Sequence, residues 1–192
     1  MIGNLLERVR GLRLLALVAV AYLYGFVLLN VLPQWNRLVA ARGGVEIQSQ
    51  FGATGRDVQL ALEAYDAGLR RDALVFYLLD IPNFLLLALG TLALMAFGLR
   101  SLGLFRAPWT ALLVLPFVGA AADFLENAGL TAALLAGTDH ALLNTATAGI
   151  ITAKLIVAFY VTFPLTLVLV VTGLAALAWR RFRPATSSGR PR

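Results

Sequence analysis

The chain has 192 residues, 60% of them hydrophobic and 14% charged, with a formal net charge of +6. Its mean hydropathy of +0.82 is far above a soluble domain's balance, so a bilayer is the expected solvent. The absence of cysteine excludes disulfides, thiolate metal sites and thiol chemistry, and the single histidine, His140, gives no basis for a His-rich metal or haem site.

Four apolar runs reach the roughly 20 residues that cross a bilayer: about 14–32, 73–99, 108–135 and 142–179. The predicted fold is an all-α integral membrane protein, a four-transmembrane-helix up-down bundle. It forms a single domain over 1–183, with a tail over 184–192 that is Ser-, Pro- and Arg-rich and expected to be disordered. The first run is longer than the 7–15 residues of a signal-peptide core. It is therefore read as a retained span, although Val39-Ala40-Ala41 resembles a cleavage site.

Between the first and second runs lies a polar segment, 33–72. Pro33 to Gly55 is rich in Gly, Gln and Ser and reads as loop. Thr54 and Asp57 resemble a capping box, with Asp in place of Glu. Val58, Leu62, Tyr65 and Leu69 then follow helical spacing, and Asp66 and Arg70 form an i, i+4 pair. The expectation is an external amphipathic helix lying on the membrane or capping the bundle. Pro82, Pro116 and Pro164 fall inside the second, third and fourth runs, where proline tends to kink a helix.

Arginine placement orients the bundle. The N-terminus (Arg8, Arg10, Arg13), the connection between the second and third runs (Arg100, Arg106) and the C-terminus (Arg180, Arg181, Arg183, Arg190, Arg192) together carry +9 after subtraction of Glu7. The opposite side carries −1 and the spans −2. Both termini are expected to be cytoplasmic. The Arg- and Ala-rich composition suggests a bacterial cytoplasmic membrane. The positive charge thus follows topology, and no aromatic–basic pattern suggests nucleic acid.

The spans contain four ionisable residues of special interest: Asp80, Asp123, Glu126 and Lys154, the only lysine. Each costs about 2.5–3.5 kcal/mol on insertion scales, so such groups usually face a bundle interior or polar cavity. Asn30, Asn83 and Asp123 each lie 17 residues from an arginine anchor (Arg13, Arg100 and Arg106), or about 25 Å at a helical rise. Asp80 and Glu126 lie one turn further. Asp80 with Asn83, and Asp123 with Glu126 and Asn127, share helix faces. Asn144, Thr147, Ile151, Lys154 and Ala158 trace one face of the fourth run. Lys154 is 26 residues from Arg180, about 39 Å, so by this count it sits one to two turns too high.

The predicted catalytic or proton-handling residues are Asp123, Glu126 and Lys154, with Asn30, Asp80, Asn83 and Asn127 binding the ligand. Lysine can lose its proton on burial where arginine cannot, and a carboxyl holding a proton beside it suits acid–base work. Three carboxylates against one ammonium leave −2. A shared proton, a cationic ligand, or Arg70 and Arg71 reaching down would balance it. The Asp123-x-x-Glu126-Asn127 string matches no metal-site signature, and no metal or cofactor is assigned. Tyr22, Tyr24, Phe76, Tyr77, Phe84, Phe124 and Phe159 are candidate pocket walls, and His140 reads as a solvated loop residue.

Four spans, an external segment after the first, Asp80-Ile81-Pro82 in the second and Pro164 in the fourth make the chain similar in topology to EXPERA-type membrane proteins. That group includes sterol isomerases and a small four-span sterol-binding member. The resemblance implies that such a bundle can hold an apolar ligand against buried carboxylates; no residue role is carried over. The expected function is a polar pocket in the outer-leaflet half that binds, and by acid–base chemistry modifies, an amphipathic lipid-like molecule. Two alternatives stand beside it. One is proton- or cation-coupled transport as a homo-oligomer; the other is an accessory subunit of a larger membrane complex, with the charges as assembly glue. Membrane lipids are expected partners in every case.

Overall fold

A computed structural model describes residues 12–41 and 46–182. The expected disordered tail, and the anchors Arg8, Arg10, Arg42, Arg183, Arg190 and Arg192, lie outside the described residues. Within them the fold is all-helical. Seven α-helices follow in order: α1 (Leu12–Asn30), α2 (Pro33–Ala41), α3 (Gly55–Glu63), α4 (Ala67–Ser101), α5 (Leu115–Ala136), α6 (Ala141–Leu155) and α7 (Phe163–Phe182). A π-helical turn, Ile156–Thr162, joins α6 to α7, and 3-10 turns cover Ile47–Ser49 and Trp109–Val114.

Among the described residues, three helical stretches are long and apolar enough to cross a membrane: Ala67–Ser101, Trp109–Ala136 and Ala141–Phe182. A fourth results if Ala16–Asn30 and Pro33–Ala41, bent by 50°, count as one broken span. α2 corrects the loop expected over 33–55. Pro33 is tolerated at a first helical position, where its missing N–H has no partner to lose, and Leu38 is fully buried.

The Thr54–Asp57 capping box forms as expected: Asp57 N donates to Thr54 Oγ1 at 3.2 Å and Thr54 N to Asp57 Oδ2 at 2.8 Å. The helix it starts does not continue to Leu69. It stops at Glu63, and Asp66 caps the next helix by accepting from Leu69 N at 2.8 Å. A side chain able to satisfy an orphan N–H turns position 66 into a new start. The Asp66–Arg70 pair is accordingly replaced, and Arg70 Nε donates to the Tyr65 carbonyl at the break. α4 therefore begins six residues before the expected span.

Pro82 sits within α4, which stays continuous. Tyr24 Oη of α1 donates to the Leu79 carbonyl at 2.9 Å, one residue from the carbonyl that Pro82 cannot satisfy. Pro116 opens α5 rather than kinking it, because the preceding turn is 3-10. Pro164 falls just after the π-turn, where the hydrogen-bond ladder is already shifting register.

α4 is the central helix, with α1 and α2, α5 and α7 around it, while α6 pairs with α5 and carries α3. Ile47, Val58, Leu62 and Tyr65 bury into a core with Phe76, Leu130 and Ile151, so residues 46–66 cap one end of the bundle. Leu92, Met95, Leu99, Leu113 and Leu169 fill the other end. α4 and α7 cross at two glycines. A Cβ on Gly98 would lie 2.6 Å from the Leu169 carbonyl oxygen, while one on Gly173 would lie 3.2 Å from Gly98 Cα. Gly98→Ala must push the two backbones apart and is expected to cost about 1–3 kcal/mol. Gly173→Ala should cost less. Thermal unfolding in detergent checks the order, and equal effects would show that Gly98 is not the tight point.

Candidate functional site

The crossing also explains where Lys154 goes. Counting from Arg180 assumed that α7 ends level with α4. The glycine contact instead sets Gly173 level with Gly98, and α7 overhangs beyond it. Nineteen residues separate Gly173 from Lys154, and eighteen separate Gly98 from Asp80. Lys154 therefore enters the polar layer, which corrects the expected excess height. α5 and α6 approach closely at Gly129 and Thr147. Six residues back along α5 is Asp123 and seven on along α6 is Lys154, so the antiparallel register brings them together.

Lys154 Nζ lies 2.6 Å from Glu126 Oε2 and 3.2 Å from Asp123 Oδ1. The Glu126 side chain is wholly buried, whereas a quarter of the Asp123 side chain is exposed. Asp80 is held differently. Its Oδ1 accepts from Asn83 Nδ2 at 2.8 Å and its Oδ2 from Asn127 Nδ2 at 2.9 Å. Asn127 Oδ1 in turn accepts from Gln48 Nε2 at 2.6 Å. That amide chain fixes which way Asn127 faces, because its oxygen is taken by a donor and its nitrogen must point at Asp80.

Six of the seven expected residues thus form two adjoining groups, Lys154–Glu126–Asp123 and Asp80–Asn83–Asn127. Asn30 does not join. It is exposed at the end of α1, and its Nδ2 donates to the Phe26 carbonyl of its own helix at 3.0 Å. Nor do Arg70 and Arg71 reach the layer: Arg70 serves the Tyr65 carbonyl and Arg71 is exposed. His140 is exposed before α6.

Gln48 and Glu46 were not singled out from sequence. Both are buried, at 5% and 1% exposure, and Glu46 accepts from Tyr65 Oη at 2.9 Å and from the Ile47 N–H. The only local signal was Ile47, an apolar residue between two polar ones in a segment that otherwise reads as loop. Its burial pulls its neighbours into the bundle.

Beside the ion cluster, a lateral groove of about 550 Å³ runs between α4, α5 and the π-turn with α7. Phe84, Ala88, Ala120, Phe159 and Leu167 form much of its wall, and among the described residues Asp123 is the one charged side chain in its lining. Of the expected aromatic walls, Tyr22, Phe84 and Phe159 line it. Phe76 and Tyr77 are core residues instead, and Phe124 is exposed and edge-on to Phe84. A second pocket of about 330 Å³ lies under Ser49, Phe51 and Tyr160, with Phe159 shared between the two. A mainly apolar cleft with a few polar groups in its wall has the form of a small-molecule site. Compared with protein-family models, curated proteins and solved structures, the chain matches none.

Proposed function

We propose that the chain is a four-span protein of a bacterial cytoplasmic membrane, both termini cytoplasmic, that binds an amphipathic lipid-like molecule in the lateral groove. The polar end of that molecule meets Asp123 in the outer-leaflet half. The proposal rests on one observation above the rest: an otherwise apolar groove whose only charged wall residue belongs to the buried ion cluster. Lys154 already faces two carboxylates, so the groove offers no spare cation to a phosphate or carboxylate head. The favoured head therefore donates hydrogen bonds and carries no negative charge, as an alcohol or an ammonium does. Asp123, Glu126 and Lys154 form the set able to pass a proton to or from such a head.

Transport is the weaker reading. A path onward for ions needs polar side chains beyond the layer, and Leu92, Met95, Leu99, Leu113 and Leu169 occupy that end. An accessory role would leave the groove without a ligand.

Gly119 provides the test. It lines the groove, and a Cβ there meets nothing within 4 Å. Gly119→Phe can occupy the groove with no backbone clash and with a better helix former. Binding of radiolabelled decanol to the protein in phosphatidylcholine nanodiscs is expected to fall by at least about tenfold, a loss of roughly 1.4 kcal/mol. The unfolding temperature should hold. A folded Gly119→Phe protein that binds decanol as before would sink the groove as the site.

A further inference from the structure

The groove has a second polar feature, in its π-turn. Threonine hydroxyls in helices can bond the carbonyl four residues back. Thr147, Thr166 and Thr172 do so, to Leu143 at 2.8 Å, Thr162 at 2.7 Å and Val168 at 2.6 Å. Thr162 does not. It closes the π-turn Ile156–Thr162, whose i→i+5 winding displaces the carbonyl that an α-turn would present. Its Oγ1 is buried and has no hydrogen-bond partner among the described residues, while the residue itself lines the groove. Buried polar groups are paired as a rule, and an exception calls for an explanation. π-turns occur frequently at functional sites.

We infer that the groove takes a slender, uncharged molecule with two hydrogen-bonding groups, one donating to Asp123 and the other pairing with the Thr162 hydroxyl. This rests on the groove reading above and sharpens it from any amphipath to a bifunctional one. Thr162 is then the residue that selects for the second group. Lys154, which touches Asp123, precedes Thr162 by eight residues on the same helical run. An α-helical rise over eight residues would give about 12 Å, and because Ile156–Thr162 is wound as π-helix, which rises less per residue, the two points lie no further apart than that along the run. The wall between them, at Phe159 and Ala158, is apolar. The matching ligand is polar at two points joined by a hydrocarbon stretch, and an α,ω-diol is the simplest probe of that chemistry.

Decanol and the matching α,ω-decanediol are compared by equilibrium binding to the protein in phosphatidylcholine nanodiscs. The wild-type chain is expected to bind the diol about five- to tenfold more tightly than the mono-alcohol, the range of one neutral hydrogen bond. Thr162→Val, which keeps the side-chain shape, should abolish that preference for the diol over decanol. Thr162→Ser should retain it. If decanol binds saturably but the diol binds no better, or if Thr162→Val keeps the preference, the second contact is refuted while the groove reading survives. If neither alcohol binds saturably, the groove reading falls and takes this inference with it.

Discussion

Lys154→Met destabilises the folded protein by about 3–5 kcal/mol, the cost of breaking a buried ion pair by removing one partner. Methionine keeps most of the lysine stem, so packing against α5 changes little and the loss is electrostatic. What remains is a wholly buried Glu126 carboxylate and a largely buried Asp123 that share one helix face, three residues apart, with no cation between them. The Glu126 side chain has no exposed surface at all, and only a quarter of Asp123 is exposed, on the groove side. The triple change Lys154→Met with Asp123→Asn and Glu126→Gln should recover most of the loss, since neutral amides remove the uncompensated charge. Unfolding in detergent, followed by circular dichroism, separates the outcomes. A Lys154→Met protein as stable as wild type would show that the ammonium does not hold the two carboxylates together.

Much of this layer was legible before any coordinates. The spacing of Asp123 and Glu126, and of Asp80 and Asn83, follows from helical periodicity alone, and both pairs meet partners as that spacing implies. What counting could not give was the relative height of the spans. Arginine counting treats the anchors as level and sets Lys154 too high, whereas the Gly98–Gly173 crossing sets the register and leaves α7 overhanging. Close backbone crossings depend on which small residues meet, and one chain's pattern does not say which pairs those are.

The cap was the hardest part to read. Its composition is that of a loop, yet Gln48 reaches Asn127 across 79 positions of sequence and so orients the amide that holds Asp80. Asn30 illustrates the converse. It ends α1 at a bend and turns back onto Phe26. Depth along a helix is a local property; facing at a helix end is decided by capping and by the next segment.

Asp123→Asn separates the ion cluster's structural part from its binding part. Asparagine keeps the carboxylate's shape and still offers one oxygen, but it removes the charge from the groove wall. Lys154 and Glu126 are left as a one-to-one pair at 2.6 Å, so the substitution leaves no unbalanced charge within that cluster, and stability should stay close to wild type. Binding should not. A hydrogen bond to a charged acceptor is worth about 1.5–3 kcal/mol, so decanol affinity in nanodiscs should fall by about tenfold or more. Selectivity should change as well. Decanoate meets Asp123 as a like charge in the wild-type groove and is expected to be excluded. In the variant the nearest net charge is gone, and decanoate should approach decanol in affinity. The two effects must appear together, because one carboxylate is the cause of both. Weaker decanol binding with decanoate still excluded would place the anion barrier elsewhere, at Asp80 and its amides. Unchanged binding of both would mean that the polar end of the ligand does not lie at Asp123.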